Sequence, residues 1–382
     1  MLLNMNLFEF RPTIQVVFGT NALAKLGDLV KSLGGRHVLI VTDAGIVASG
    51  ITAKALNILH QSNISTNVFD DVHENPTDAQ VKAAAAVVQS GGLPDVIIAL
   101  GGGSSMDCAK GINFLVTNGG QMADYWGFGK ATQPMLPSIG IPSTAGTGSE
   151  AQSFALISRA TDHRKMACGD LKARFHTVIL DPLLLATLPK PVAAVTVMDA
   201  FSHAVESFVS TKRTAFSQMF AKEAFRFIDE HAEYFLNSPS QITAASAMLM
   251  GAHLAGMSIE NSMLGAAHAL ANPLTATYGI THGTAVGIML PHVVRFNASE
   301  VAPLYGELIL HSSVKSDAVT YLTNRIHQLQ EWGDLPGSLN QCNVPETDLP
   351  VLAKLAAEQW TGRFNPRPVD EQTLLDLYRQ AW

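Results

Sequence analysis

The sequence predicts an α/β plus all-α fold, with a parallel sheet in the first half of the chain and helices in the second half. Short apolar strands alternate with helical stretches up to about residue 182, a pattern typical of a wound parallel sheet. Beyond that point, long segments with helical periodicity replace the strands. A length of 382 residues fits two domains better than one hydrophobic core.

The predicted strands of the first half are short runs rich in Val, Ile and Leu. They are HVLIV at 37–41, NVFD at 67–70, DVIIAL at 95–100, PSIGIP at 137–142 and TVILDP at 177–182. TAKALNILHQS and DAQVKAAAAVVQS lie between them and repeat apolar residues at helical spacing. Ligands of open α/β sheets bind at the carboxyl ends of the strands. The loops that follow these strands are therefore candidate binding loops.

The second half of the chain predicts helices. Its main candidates are AFSQMFAKEAFRFIDEHAEYF, ITAASAMLMGAHLAGMSI and VTYLTNRIHQLQEW. Two prolines in ATLPKP at 186–191 interrupt both helices and strands. We therefore expect an α/β domain over 1–187 and an α-helical domain over 188–382.

Composition and charge exclude several classes of protein. Hydrophobic residues make up 47% and charged residues 15%, which indicates a compact chain rather than a disordered one. The net charge of -7, without a run of Lys and Arg, argues against nucleic acid as a partner. The three cysteines lie far apart and form no CxxC pair. This favours a reducing compartment, and with no signal-peptide pattern at the start of the chain we expect a cytoplasmic protein.

One segment, residues 261–294, contains no Asp, Glu, Lys or Arg and has to be weighed as a membrane span. Its histidines, Asn272 and two prolines would be costly in lipid. We expect buried helices around a site, and no membrane partner.

A glycine-rich turn follows the predicted strand at 95–100. Gly101, Gly102 and Gly103 precede a predicted helix that opens with Ser104 or Ser105 and carries Asp107 in its first turn. Glycines allow close approach to a pyrophosphate, and free N–H groups at the helix start attract the anion. The pattern favours a dinucleotide site, although it is not GxGxxG and a plain strand-to-helix connection is the alternative.

Two further stretches offer groups for a nucleotide. IPSTAGTGSEA follows the strand at 137–142, and its Thr144, Thr147 and Ser149 can hold ribose or the nicotinamide amide; a solvated surface loop is the alternative. Asp43 ends the strand at 37–41 and can accept hydrogen bonds from the adenosine ribose while repelling a 2′-phosphate, which favours NAD over NADP. Because Asp43 precedes the glycine turn, a turn-forming role is equally compatible with its spacing. We also include Lys165 among the candidate cofactor-binding residues.

Four residues of the second half form a candidate metal site. Asp199 and His203 are four residues apart in a predicted helix and therefore share one face. His268 and His282 come from the uncharged segment. One carboxylate with three imidazoles suits Fe(II) or Zn(II) and leaves a coordination position open. Taken singly, the helical pair could be a surface pair and each His a core residue; His253 and His292 are spare candidates, better explained as structural.

With these residues in view, the sequence resembles the iron-containing (group III) alcohol dehydrogenases. The matching stretches span nearly the whole chain in order: VVFGTNAL, VLIVTD, ALGGGSSMDCAK, IPSTAGTGSEA, LDPLLLATLP, MDAFSHAVESFVS, HALANPLTATYGITHG, LPHVVRFN and NPRPVDEQTLLDLYRQAW. The resemblance implies a Rossmann-like dinucleotide-binding domain followed by a helical metal-binding domain, as in dehydroquinate synthase-like proteins.

The resemblance also implies a function and assigns residues to it. The family's metal ligands fall on Asp199, His203, His268 and His282, its pyrophosphate loop on Gly101–Ser104, its ribose acid on Asp43, and its cofactor-contacting hydroxyls on Thr144, Thr147 and Ser149. The implied enzyme uses Fe(II), with Zn(II) as the alternative, and NAD to transfer hydride reversibly between a small alcohol and its aldehyde or ketone. We further expect a homodimer or higher homo-oligomer.

One departure concerns the substrate side. Many relatives carry a His four residues after the first His of the HxxxH motif, whereas this chain has Asn272. An amide forms hydrogen bonds but does not titrate near neutral pH. We therefore expect Asn272 to be the catalytic-site residue that distinguishes this chain. A lyase that uses NAD transiently, and a non-catalytic metal- or nucleotide-binding protein, are the alternative functions.

Overall fold

The computed structural model describes residues 8–310 and 317–382. Within them the strands are β1 (Gln15–Phe18), β2 (His37–Val41), β3 (Ser65–Phe69), β4 (Val96–Gly101), β5 (Gly127–Phe128), β6 (Ser138–Pro142), β7 (Phe154–Ser158), β8 (Lys165–Gly169) and β9 (Thr177–Leu180). The α-helices are α1 (Leu26–Ser32), α2 (Ala44–Ala48), α3 (Ile51–Gln61), α4 (Asp78–Gly91), α5 (Gly103–Asn118), α6 (Lys190–Val209), α7 (Ala215–Asn237), α8 (Ile242–Glu260), α9 (Ala266–Tyr278), α10 (His282–Leu308), α11 (Ala318–Trp332), α12 (Leu349–Ala357) and α13 (Glu371–Ala381).

Six strands form one sheet in the order β1-β9-β6-β4-β2-β3. Every pairing within it is parallel. The prediction of a parallel sheet in the first half, followed by helices, is confirmed. All six residues of β4 are buried, because helices cover both faces of such a sheet and its central strands become continuous apolar runs.

The order of the strands places three chain segments side by side. The chain runs from β2 outward to β3 and then returns to β4 on the other side of β2. Strand β6 follows next to β4. The loops after β2, β4 and β6 are therefore neighbours at the carboxyl edge of the sheet, where the direction of winding changes and ligands of this sheet type bind.

A second sheet of three strands, ordered β5-β8-β7, was not predicted. Strands β7 and β8 form an antiparallel hairpin, and β5 pairs with β8 in parallel. The polar turn at 159–164 and the two-residue length of β5 left no clear periodicity to recognise.

The chain divides into two compact units. Among the described residues, one unit holds 12–144 and 149–188, and the other holds 8–11, 145–148, 189–310 and 317–382. The expected division after residue 187 stays a prediction. The structure adds that a four-residue piece of the first half belongs to the helical unit.

Two helices, α6 and α8, are long and apolar enough to cross a membrane by length and composition alone. Most of each is buried within the structure, as in the core helices of many compact proteins. The uncharged segment 261–294 forms α9 and the start of α10 and is largely buried, as expected.

Candidate metal centre and nucleotide-binding loops

The candidate ribose acid lies beside the glycine turn. Strands β2 and β4 are paired neighbours, with Val41 opposite Ala99, so the residues that follow them are close. A Cβ built on Gly101 would lie 3.2 Å from Asp43 Oδ2, and Ser105 Oγ lies 3.5 Å from the same oxygen. Asp43 Oδ1 also accepts from the backbone N–H of Ile46 at 3.1 Å and caps α2. The turn-forming role and a place near the glycine turn therefore coexist.

Glycine is present at the successive positions of the turn for different structural reasons. Gly101 has φ +152°, a backbone conformation that L side chains rarely adopt, and a Cβ there would lie 2.3 Å from Ser105 Oγ, so conformation and packing together favour glycine. At Gly102 a Cβ would meet nothing closer than 3.4 Å, an atom of Thr144. Packing does not explain glycine at this position, and a glycine here leaves the backbone at the start of α5 open to close approach by a ligand. Ser104 Oγ accepts from the N–H of Asn75 at 3.3 Å.

Three of the candidate cofactor residues belong to a buried network behind this turn. Ser149 donates to Asp107 Oδ1 at 2.6 Å, and the Lys110 ammonium donates to the Ser149 carbonyl at 2.7 Å and lies 3.9 Å from Asp107. Lys165, at the start of β8, exerts a further attraction on Asp107. Burial raises the pKa of the Asp107 carboxyl against these partners. The geometry favours a bracing role for Asp107 and Ser149.

The polar loop after β6 packs closely against two helices and is not exposed. A Cβ on Gly146 would lie 2.5 Å from Thr196 Cβ of α6, and a Cβ on Gly148 would lie 2.7 Å from the Ala252 carbonyl oxygen of α8. Both glycines are therefore required for contact between the loop and these helices. Thr147, which lies between them, is half-buried. A solvated surface loop does not describe this segment.

The metal candidates begin on α6. Asp199 and His203 are both buried and lie one turn apart, with His203 Nε2 3.2 Å from Asp199 Oδ1. The helix is long and apolar, and it starts at the prolines that suggested the domain boundary. Two polar groups on one face of such a helix point into the same interior volume.

The other two candidates approach the same carboxylate oxygen. His268 Nε2, from the first turn of α9, lies 3.6 Å from Asp199 Oδ1. His282, the first residue of α10, places its Nε2 3.7 Å from that oxygen. The ligand atoms of Asp199, His268 and His282 all lie within 4.8 Å of one another. His203 joins them through Asp199, and its ring stacks on that of His268 with centroids 5.0 Å apart. The structure thus brings together all four residues singled out in the sequence.

The electrostatics of this cluster are those of a cation site. Burial opposes charge on Asp199, but the neighbouring imidazoles, His203 foremost, hold the pKa of its carboxyl well below the usual range. Burial lowers the pKa of His203 to about 4. Burial acts in the same direction on His268, but the Asp199 and Glu206 carboxylates outweigh it and raise the pKa of His268 to about 9. The cluster therefore attracts positive charge at neutral pH.

The donor atoms fit a divalent metal. Within the described parts of the chain, Asp199 Oδ1 and His268 Nε2 are buried and take part in no hydrogen bond. Buried polar atoms without such a partner are rare and costly. Asp199, His268 and His282 at this spacing, with His203 Nε2 3.2 Å from the same carboxylate oxygen, offer donor types that iron and zinc accept.

Sequence reasoning missed a second carboxylate in this region. Glu206, on α6, contacts His268 through its Nδ1 at 2.5 Å and accepts from the N–H of Ala267 at 2.7 Å. Its spacing of seven residues from Asp199 puts it on the same face of α6, a signal that could have identified it.

Asn272 lies one turn after His268 on α9 and is half-buried. Its Nδ2 donates to Gln359 Oε1 at 3.1 Å. Gln359, which precedes the 3₁₀ turn Trp360–Phe364, could not have been assigned from the sequence because it lies far from the metal motifs. Of the spare histidines, His253 is buried on α8 and His292 lies within α10.

Comparison with known proteins gives these sites a context. The model of the family described as iron-containing alcohol dehydrogenase matches residues 12–182, and the C-terminal model described as Fe-containing alcohol dehydrogenase family matches residues 193–382. The chain belongs to the iron-containing alcohol dehydrogenase family. It is accordingly an oxidoreductase that acts on alcohols or aldehydes.

Individual members of the family are similar over almost the whole chain. A relative named 1,3-propanediol dehydrogenase from Klebsiella pneumoniae is 33% identical over 374 residues, covering 96% of each chain. Alcohol dehydrogenase 4 of Schizosaccharomyces pombe is 34% identical over 367 residues, covering 96% of this chain and 87% of the relative. A crystal structure of a 1,3-propanediol oxidoreductase superposes with a TM-score of 0.94 at 31% identity, over 99% of this chain and 100% of the other. These dehydrogenases favour an oxidoreductase over the lyase alternative.

Proposed function

We propose that this family member is an NAD-dependent enzyme that transfers hydride reversibly between a small alcohol and its aldehyde or ketone. The observation that carries the proposal is the convergence of Asp199, His203, His268 and His282 in a buried cluster of the helical unit. Relatives named 1,3-propanediol dehydrogenase, lactaldehyde reductase and NAD-dependent methanol dehydrogenase support short alcohols and diols as the substrate class.

Asp199 and the three histidines are the proposed ligands of Fe(II), with Zn(II) as the alternative metal. When bound, such a metal supplies Lewis acidity toward an alcohol or carbonyl oxygen. The chain contributes a preset negative charge at Asp199 and imidazoles oriented by their neighbours. Asp199, His203 and His268 are buried while His282 is half-buried, and burial strengthens the electrostatic contacts among the first three.

The loops at the carboxyl edge of the six-stranded sheet are the proposed NAD site. The start of α5, from Gly102, offers backbone N–H groups to the pyrophosphate. Asp43 beside it accepts from the ribose hydroxyls and disfavours a 2′-phosphate, so NADP is the weaker cofactor. Thr144 and Thr147 offer hydroxyls to the rest of the dinucleotide, while Ser149, Asp107 and Lys165 brace the loops from behind.

Asn272 and Gln359 form the proposed polar contact for substrate in place of the titrating His of many relatives. The Asn272 amide is oriented by its bond to Gln359, so its carbonyl oxygen can accept from a substrate hydroxyl. Since neither amide titrates, proton release proceeds through water or ribose hydroxyls rather than through this pair.

The test of the proposed function removes one ligand at a time. Asp199→Ala and His268→Ala are each expected to lose bound metal, measured by elemental analysis of anaerobically purified protein. They are also expected to lose NADH production with ethanol, 1,2-propanediol and 1,3-propanediol. His60→Ala, at an exposed position on α3, is the control and keeps both properties. Turnover by metal-free Asp199→Ala protein would refute the proposal.

The proposal also covers the roles of the two domains, the location and oligomeric state of the protein, and its partners. The division into domains 1–187 and 188–382 assigns cofactor binding to the first and metal binding to the second. We propose a cytoplasmic homodimer or higher homo-oligomer with a small-molecule alcohol or aldehyde as its partner. Neither nucleic acid nor a membrane is required for the proposed reaction.

A further inference from the structure

A buried carboxylate at Glu206 touches the candidate metal centre without belonging to its ligand set. Only 3% of Glu206 is exposed, and burial of a carboxylate is costly unless its oxygens are occupied by donors. Both oxygens are occupied. Oε2 lies 2.5 Å from His268 Nδ1, and Oε1 accepts from the N–H of Ala267 at 2.7 Å.

These contacts lie at the start of α9, a helix end that lacks a cap of its own. Its N-cap residue is Gly265, which has no side chain to accept from the free N–H groups. Distant residues take over: Asn365 Oδ1 accepts from the N–H of Ala266 at 3.2 Å, and Glu206 accepts from the next N–H. A Cβ on Gly265 would lie 2.8 Å from Glu206 Oε1, so the glycine leaves room for the carboxylate. The positive end of the helix dipole favours that charge.

The contact with Nδ1 decides which nitrogen of His268 faces the centre. An ionised carboxylate only accepts hydrogen bonds, so Nδ1 carries the proton and donates. In the neutral ring this leaves the lone pair on Nε2, the atom that lies 3.6 Å from Asp199 Oδ1. Histidines that bind metals commonly have a carboxylate on their other nitrogen, which fixes the ring and raises its basicity.

We propose that Glu206 is a positioning residue that fixes the tautomer and ring orientation of His268 for metal binding, and that this role is separate from its capping of α9. The inference rests on the proposed metal site. Purely structural capping is the competing explanation, because the same carboxylate holds the helix start. The two roles use different oxygens and can be separated by one substitution.

Glu206→Gln separates them because its two head-group atoms differ. The amide oxygen still accepts from Ala267, whereas the amide NH₂ now faces His268 Nδ1 and cannot accept its proton. The ring is then driven to carry its proton on Nε2, which removes the ligand lone pair. The variant keeps the shape of the side chain and the helix cap. It alters only the hydrogen bond to the histidine and the charge.

The experiment titrates metal-free protein with Zn²⁺ against a chelator of known affinity and measures thermal unfolding of the same samples. Glu206→Gln is expected to bind Zn²⁺ about 10- to 100-fold more weakly, and to lower the unfolding midpoint of the metal-free protein as well, because the negative charge at the start of α9 is lost. Glu206→Asp keeps an accepting carboxylate and is expected to lose less affinity than Glu206→Gln. It also provides a second test should the amide variant fail to fold.

Asn365→Ala is the control, since it removes the neighbouring cap at Ala266, together with the bonds of Asn365 to Asn297 and to the Arg367 carbonyl, without touching His268. It is expected to lower the unfolding midpoint while leaving Zn²⁺ affinity within about threefold. Wild-type affinity in Glu206→Gln, or equal affinity losses in Glu206→Gln and Asn365→Ala, would overturn the positioning role. His268→Ala tests the proposed metal site separately from the positioning role of Glu206, because it removes a proposed ligand. Undiminished Zn²⁺ binding in that variant refutes the metal site itself.

Discussion

Helix α10 carries three glycines that differ in how much space surrounds them. These differences predict the order of stability of the three Gly→Ala variants. At Gly283 a Cβ would lie 1.9 Å from the carbonyl oxygen of Val195, a backbone atom of α6. At Gly287 it would lie 2.8 Å from Cγ of Met198, a flexible side chain. At Gly306 it would meet nothing within 4 Å.

The size of each stability change depends on whether the atom that a new Cβ would meet belongs to the backbone or to a flexible side chain. In Gly283→Ala the backbones of α6 and α10 must separate by about 1.5 Å to restore ordinary contact, and strain of this kind costs about 1–3 kcal/mol. Because Ala favours the helix over Gly by about 1 kcal/mol, each Gly→Ala substitution also gains about that much, which offsets part of any strain. We expect Gly306→Ala to be more stable than the wild type by roughly 0.5–1 kcal/mol. Gly287→Ala should fall between them, because the methionine can adopt another rotamer.

The assay is denaturant unfolding of the metal-free proteins, followed by Zn²⁺ titration. Gly283 follows His282 directly, and His282 Nε2 lies 3.7 Å from Asp199 Oδ1. Separation of the helices should therefore weaken Zn²⁺ binding in Gly283→Ala and leave it unchanged in Gly306→Ala. A Gly283→Ala protein as stable as Gly306→Ala would refute the reasoning from close backbone packing.

Three other predictions concern the cofactor, the proton route and pH. Asp43→Gly should raise kcat/KM with NADP relative to NAD, since the repelling carboxylate is gone; an unchanged ratio would remove its assigned role. Asn272→His should introduce a new ionisation into the pH dependence of kcat, and an unchanged profile would count against a position near the reacting groups. Burial, aided by Arg295, lowers the pKa of His292 to about 4, below its unfolded value of about 6.5. Its neutral form therefore contributes stability that is present above pH 6.5 and is lost as the pH falls through 4, on the order of 3 kcal/mol in all. His292→Asn should flatten this part of the pH dependence of unfolding, and an unchanged pH dependence in the variant would contradict this origin of the stability.

The central strands of the sheet were predictable because they are buried on both faces and stand out as apolar runs, whereas the edge strand β1 is mostly exposed and was not predicted. HVLIV at 37–41 coincides with β2, and DVIIAL at 95–100 is displaced by one residue from β4. The pair Asp199 and His203 was equally accessible, since helical spacing alone puts both side chains on one face.

What escaped prediction depends on contacts between distant parts of the chain. The position of Asp43 ahead of the glycine turn looked irregular, and only the pairing of β2 with β4 explains it. Glu206, Gln359 and Asn365 gain their significance from partners 61 to 99 residues away. No local periodicity encodes such pairs.

The anchoring of α9 also bears on how the protein matures during synthesis. Asn365 bonds the first turn of α9, and the Tyr378 hydroxyl donates to the Leu270 carbonyl at 2.6 Å. Both residues follow every candidate ligand in the chain. A nascent polypeptide that has emerged through α10 already carries the full donor set, but it lacks the side chains that hold one donor helix in place. We therefore expect the proposed metal site to reach its final geometry only at a late stage of folding.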